Sequence, residues 1–172
     1  MGNHGSWVLT LPAYTNGVDE APSDAFLFNG HTGWVSVPDS ASLDSDYEVS
    51  VAAWINLKSY VDEGGFSAWI VGKWWSGDAA GDYLLMVNSL GQLDFNVANR
   101  DLGHIVGDNV VSRGIVPTNE WTHVVATFNR GVLKLYIDGC LDTGRVSSIV
   151  ERTDVGEYSY DDVVIGGQAC HD

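Results

Sequence analysis

The sequence predicts an all-β, antiparallel fold, and three observations carry the prediction. Val132–Asp138 alternates strictly, with Leu133, Leu135 and Ile137 on one parity and Val132, Lys134, Tyr136 and Asp138 on the other. Tyr47–Lys58 does the same over a longer run: Tyr47, Val49, Val51, Ala53, Ile55 and Leu57 against Glu48, Ser50, Ala52, Trp54, Asn56 and Lys58. Successive side chains of a strand point to opposite faces, so each run is a strand with one buried face. Third, twenty Gly and four Pro punctuate a chain with no long 3.6-residue periodicity, which means many turns and few helices.

The elements follow in order. Ser6–Leu11 reads as a short first strand and Thr15–Ser23 as a loop. Ala25–Phe28 and Gly33–Val37 read as strand, turn, strand about Asn29-Gly30, with Val35 and Val37 buried and Trp34 half exposed. Pro38–Asp46 is an acidic loop, and Tyr47–Lys58 the cleanest strand. After a loop at Ser59–Ser67 come a strand at Trp69–Lys73 and a second loop at Trp74–Asp82. Tyr83–Val87, a turn at Asn88–Gly91 and Gln92–Val97 form a hairpin; in its return, Leu93, Phe95 and Val97 point in while Asp94 and Asn96 point out. Asn99–Asn109 reads as a polar loop and Val110–Val116 as a strand. Thr122–Phe128 and Val132–Ile137 form a hairpin through Asn129-Arg130-Gly131, and Asp138-Gly139 marks the next tight turn. A polar region, Thr143–Tyr160, precedes a last strand at Val163–Ile165. Strands at this density with no helical spacer imply a sandwich or barrel. At 172 residues, with neither internal repeat nor linker, one domain spanning 1–172 is expected.

The central stretch WTHVVATFNRGVLKLYIDG (Trp121–Gly139), together with AFLFNGHTGWVSVPD (Ala25–Asp39), YEVSVAAWINLK (Tyr47–Lys58) and IVGKWWSGDAAGDYLL (Ile70–Leu85), resembles the laminin-G-like, concanavalin A-like jelly-roll domains. The likeness covers most of Asp24–Gly167 and implies a two-sheet antiparallel jelly-roll sandwich. It also implies one Ca²⁺ near the sandwich rim, held by loop oxygens. The family's acidic F-D-G position is Asn29 here, and Asp161 and Asp162 are further candidate ligands. Domains of this family usually end in one more strand, of the type F-x-G-x-I-D-E-V-R-I-Y, which this chain does not show before Asp172. The expectation is an open sheet edge, filled by Ser6–Leu11, by a partner such as a second copy, or by further chain.

Charge narrows the partners. The net charge is −15, from 23 acids against 8 bases. Such a surface repels phosphate backbones and anionic lipid, so neither nucleic acid nor membrane is expected. No apolar run approaches spanning length. Met1–Ser6 matches an N-myristoylation pattern, but no basic patch supplies a second anchor. Cys140 and Cys170 would close a loop of about thirty residues if paired, worth roughly 3–4 kcal/mol on the chain-entropy model. That pairing and an extracellular site are the expectation, with the chain an exported fragment lacking its signal.

Three functions compete. Carbohydrate binding is the first choice, because sugar sites combine exposed aromatic faces with Asp, Asn and Arg. Trp74, Trp75, Asp78, Asp82 and Tyr83 offer that set within ten residues, and a second loop with Asn99, Arg100 and His104 is expected to border it. Adjacent strand residues face opposite ways, so one of the two tryptophans is expected at the surface, Trp75 being the more telling. Trp54 is expected under a neighbouring loop rather than as a sugar platform, and His123 as a hydrogen-bonded core or interface residue. The ligand is then a glycan or another cell-surface group. The rival is a protein-interaction or assembly domain. A glycoside hydrolase is a distant third. It requires two carboxylates about 5–10 Å apart, and the only fitting spacing, Glu157–Asp161, falls among turn residues.

Overall fold

The computed structural model describes residues 6–8, 13–29, 33–44, 47–60, 67–75, 80–101, 104–147 and 162–167. Along them the strands are β1 (Ser6–Val8), β2 (Ala13–Thr15), β3 (Ala25–Leu27), β4 (Trp34–Val37), β5 (Glu48–Ile55), β6 (Ala68–Trp75), β7 (Ala80–Val87), β8 (Gln92–Asp101), β9 (His104–Ile115), β10 (Thr122–Asn129), β11 (Val132–Ile137), β12 (Cys140–Val146) and β13 (Val163–Ile165). The described residues contain no helix. Two antiparallel sheets face each other: seven strands in the order β1-β4-β13-β6-β7-β8-β9, and four in the order β12-β11-β10-β5. β2 and β3 form a separate ribbon.

One apolar layer joins the sheets. Leu85, Leu93, Phe95 and Val97 from the larger sheet meet Val124, Ala126, Phe128, Leu133 and Leu135 from the smaller, all essentially solvent-free. Each fully buried Leu or Phe contributes about 1.5–3 kcal/mol. The period-two pattern assigns these residues inward, as the alternation of Val132–Asp138 requires. The β10–β11 connection is two residues rather than three. Arg130 and Gly131 both have positive φ, as do Asp138 and Gly139 in the next turn, and such primed turns match the right-handed twist of the strands they join. On one side the sandwich is fastened by side chains. Asp142 of β12 accepts the backbone N–H of Arg113 and Gly114 on β9, at 2.6 and 2.8 Å, and Arg145 pairs with Asp108 at 2.9 Å.

Several sequence expectations change. Asn29-Gly30 does not close a hairpin: β3 pairs with β2, and β4 lies between β1 and β13. Val35 and Val37 are only half-buried, whereas Ser36 between them is 6% exposed and donates its hydroxyl to Asp162. Trp74–Asp82 and Asn99–Asn109, read as loops, are mostly strand. So is the start of the polar Thr143–Tyr160 region. Cross-strand pairing runs on through these stretches, because a face turned to water accepts polar side chains. Cys140 is exposed and carries no disulfide; Cys170 lies outside the described residues. Of the proposed first strand, Ser6–Val8 caps the β4 edge of the larger sheet.

Leu135→Ala should cost about 2–5 kcal/mol, because it opens a cavity in the shared layer. The exposed control Ser50→Ala should stay within about 0.5 kcal/mol. Urea unfolding monitored by tryptophan fluorescence distinguishes them.

Candidate functional site

The larger sheet carries two polar features. The first is at Lys73, where β6 bulges between Lys73 and Trp74. The Lys73 side chain is 1% exposed. Its ammonium donates to Asp44, lies 2.9 Å from Asp39 Oδ1 and 3.6 Å from Asp82 Oδ2. Burial pulls the lysine pKa down, but the hydrogen bonds to Asp44 and Asp39 and the fields of Asp82 and Asp44 outweigh it and hold the group well above the usual lysine range. Its stabilisation is therefore complete below the unfolded value of 10.5 and lost only as pH rises through the higher folded value. Asp162 extends the network by accepting the Ser36 hydroxyl and the Asp39 backbone N–H, the latter at 3.1 Å.

The second feature is a strip on the outer face of β8 and β9. Asp94, Asn96 and Ala98 alternate outward from the apolar Leu93, Phe95 and Val97, and pairing sets Asn96 beside Asn109 and Asp94 beside Val111. Asp94 Oδ1 accepts the side-chain amides of Asn96 and Asn109, both at 3.0 Å. Burial raises the Asp94 pKa, and those two hydrogen bonds only partly oppose it. Each asparagine keeps a carbonyl oxygen and a second N–H with which to meet a polyhydroxylated ligand.

Topology gathers several of the residues singled out in the sequence. Trp74 and Trp75 end β6, Asp82 and Tyr83 lie near the start of β7, and Asn99 and Arg100 lie near the end of β8, so antiparallel pairing brings all of these stretches to one end of the sheet. Their roles divide. Trp74 is half-buried. Asp82 faces the lysine cluster. Tyr83, expected among the sugar contacts, is 7% exposed and belongs to the core, because it shares the inward parity of Leu85. The side chains of Trp75, Asn99 and Arg100, and the whole of Asp78, lie outside the described residues. The same is true of Asp161, while Asn29 is exposed beyond β3. Among the described residues no group of three or more acidic, His or Cys side chains is arranged to hold a metal. The carboxylates that converge among the described residues, Asp39, Asp44 and Asp82, meet the Lys73 ammonium.

Asp94 and Asn109 were not among the sequence candidates. The signal for Asp94 was present in its outward parity; Asn109 was hidden because its strand partner is not visible in the sequence. Trp54, expected under a loop, is 52% exposed and is the only exposed tryptophan among the described side chains. It lies on the outer face of the smaller sheet with its ring 5.0 Å from that of half-buried His123.

A two-sheet antiparallel sandwich with polar residues on the outer face of its larger sheet is the architecture of lectin-like domains. The chain belongs to the concanavalin A-like lectin/glucanase superfamily, whose laminin-G-type model matches residues 29–172. No curated protein matches the sequence. Among solved structures, a Bacteroides ovatus protein assigned provisionally to carbohydrate binding is 16% identical with a TM-score of 0.52; the match covers 76% of this chain and 34%, about a third, of that one. Domain 4 of the extracellular arabinanase AbnA from Geobacillus stearothermophilus, solved in complex with arabinotriose, is 14% identical with a TM-score of 0.54, covering 97% of this chain and 75% of that one. At these identities the likeness is one of fold.

Two substitutions test the electrostatics. Lys73→Met leaves carboxylates without their buried cation and should cost about 3–5 kcal/mol at neutral pH in urea titrations. Asp94→Asn keeps an oxygen to accept both amides but removes a charge that the folded state disfavours. The variant should be at least as stable as the parent at pH 7. Its advantage should disappear by pH 3.8, because the neutral carboxyl is the form that the fold favours and is fully present below that value. Thermal melts across pH 3–8 follow the difference.

Proposed function

We propose that the chain is a non-catalytic carbohydrate-binding domain working outside the cell. The observation that carries this reading is the Asp94–Asn96–Asn109 strip, whose hydrogen-bonding groups are held in register by β8 and β9. Superfamily membership supports it, as does the arabinotriose complex of the arabinanase domain that shares the fold. The strip runs toward the strand ends that carry Trp74, Trp75, Asn99 and Arg100, where a tryptophan face would stack on the C–H side of a sugar ring. A net charge of −15 favours neutral glycans over uronates or sulfated chains. The engagement of the carboxylates near the strip supports binding rather than hydrolysis. Asp94 is tied by two amides and Asp82 faces an ammonium, which leaves no acid and base pair across a cleft among the described residues.

A glycan array of neutral pentose and hexose oligomers, run with and without Ca²⁺ and followed by calorimetry on any hit, tests the reading. Asp94→Ala and Asn109→Ala should each weaken binding by about tenfold or more, the cost of a hydrogen bond at a buried polar site. Trp75→Ala should abolish the change in tryptophan fluorescence on adding sugar. A folded protein that binds no glycan, or whose binding ignores all three substitutions, refutes the assignment.

A further inference from the structure

Pairing lays out the outer face of the smaller sheet in rows that run across its strands. The first row is Trp54, His123 and Asp138. Trp54 pairs with His123, whose backbone N–H donates to the Asp138 carboxylate and whose carbonyl accepts the Asp138 N–H. The second row is Ala52, Val125, Tyr136 and Leu141, and the third is Ser50, Thr127, Lys134 and Gly144. Neighbouring strands lie about 4.8 Å apart and successive rows roughly 7 Å apart, so a row across four strands is roughly 14 Å long.

An apolar band thus crosses all four strands between two polar margins. Trp54 is 52% and Leu141 58% exposed, Ala52 is exposed, and Val125 and Tyr136 are half-buried. Beside the band stands a cation. The chain has three lysines. Lys73 is enclosed by aspartates, and Lys58 donates to the Asn56 side chain. Lys134 lies half-buried over Gly144, where a Cβ would meet its Cγ at 3.4 Å, and no described residue accepts a hydrogen bond or ion pair from it. In a chain with 23 acids against 8 bases, a lysine left without a carboxylate stands out.

We infer that this face is a second glycan site, and that its ligand is an acidic oligosaccharide whose rings carry carboxylates. Polar margins on both sides of an apolar band fit a sugar ring, which is apolar on its face and hydroxylated round its edge. Trp54, Val125 and Lys134 stand on successive strands and in successive rows, so they form one diagonal about 17 Å long. The tryptophan face takes the C–H side of one ring, and Ala52, Val125 and Tyr136 support the next. The Lys134 ammonium meets a carboxylate, and the Ser50 and Thr127 hydroxyls of the same row bond sugar hydroxyls. The net charge does not forbid this. At physiological ionic strength charges beyond about 8 Å are largely screened, so an anion on this face meets Lys134 first. The Asp94 strip has no such cation among the described residues and lies on the other sheet. The two sites are therefore independent, and one domain can hold two chains at once.

Calorimetry of the 172-residue chain tests the inference, with galacturonate and glucuronate oligomers and with the same oligomers after reduction of their carboxyls to alcohols. The acidic forms should bind, and the reduced forms should bind about tenfold more weakly or worse, the loss of one hydrogen bond to a charged group. Trp54→Ala and Lys134→Met should each weaken acidic binding by about tenfold or more. Lys134→Arg should retain it, and Lys58→Met, which removes a charge outside the diagonal, should leave it unchanged. Circular dichroism should be the same for every variant. Failure of both acidic oligomers to bind overturns the inference. So does equal binding of the reduced forms, or an equal loss in Lys58→Met and Lys134→Met. Self-association abolished by Trp54→Ala would assign the face to a protein contact and overturn it as well. Neutral-glycan binding at the strip is read separately through Asp94→Ala and Asn109→Ala, so either site can fail alone.

Discussion

The apolar layer between the sheets is the constraint on which the rest depends. Phe95, Leu93 and Leu85 on one side and Phe128, Leu133 and Leu135 on the other exclude water entirely. A strand has only two faces, so committing alternate residues to this layer also determines what faces outward. Asp94, Asn96 and Trp54 are outward because Leu93, Phe95 and Ala53 are inward. A slip of one residue in β8 would bury Asp94 and Asn96 and expose Phe95, so the core that stabilises the fold also holds the proposed ligand groups in place.

Among the described residues Lys73 is the one large departure from an apolar interior. A cation with 1% of its side chain exposed is tolerable only with compensation, and Asp39, Asp44 and Asp82 supply it. They come from the segment after β4 and from the start of β7, so the cluster ties chain separated in sequence to the end of β6. Asp162 adds the approach to β13. These are the elements that bring the tryptophan-bearing strand ends to one end of the sheet. Part of the acidic composition is here used to neutralise a lysine.

The smaller sheet divides its surfaces differently. Its β12 edge is closed by backbone-directed carboxylate bonds from Asp142, while its β5 edge is straight and regular. Its outer face carries Trp54 against His123, whose backbone N–H is held by Asp138 at 2.9 Å.

By itself the sequence determined the all-β class, the inward sets of β5, β8 and β11, and the presence of turns within Asn129–Gly131 and at Asp138-Gly139. All of these depend on local periodicity or on the backbone freedom of one or two residues. It also placed Asp94 and Asn96 outward. Tertiary structure alone decided the pairing of β3 with β2 and the extension of β6 to β9 through polar stretches. It also decided the meeting of Asn109 with Asp94 and the convergence of three aspartates on Lys73. Those outcomes join residues far apart along the chain, and no local pattern encodes which distant strand a given strand will meet. Tyr83 shows the limit most plainly: it neighbours Asp82 in sequence, yet strand geometry sends it into the core while Asp82 turns to the lysine.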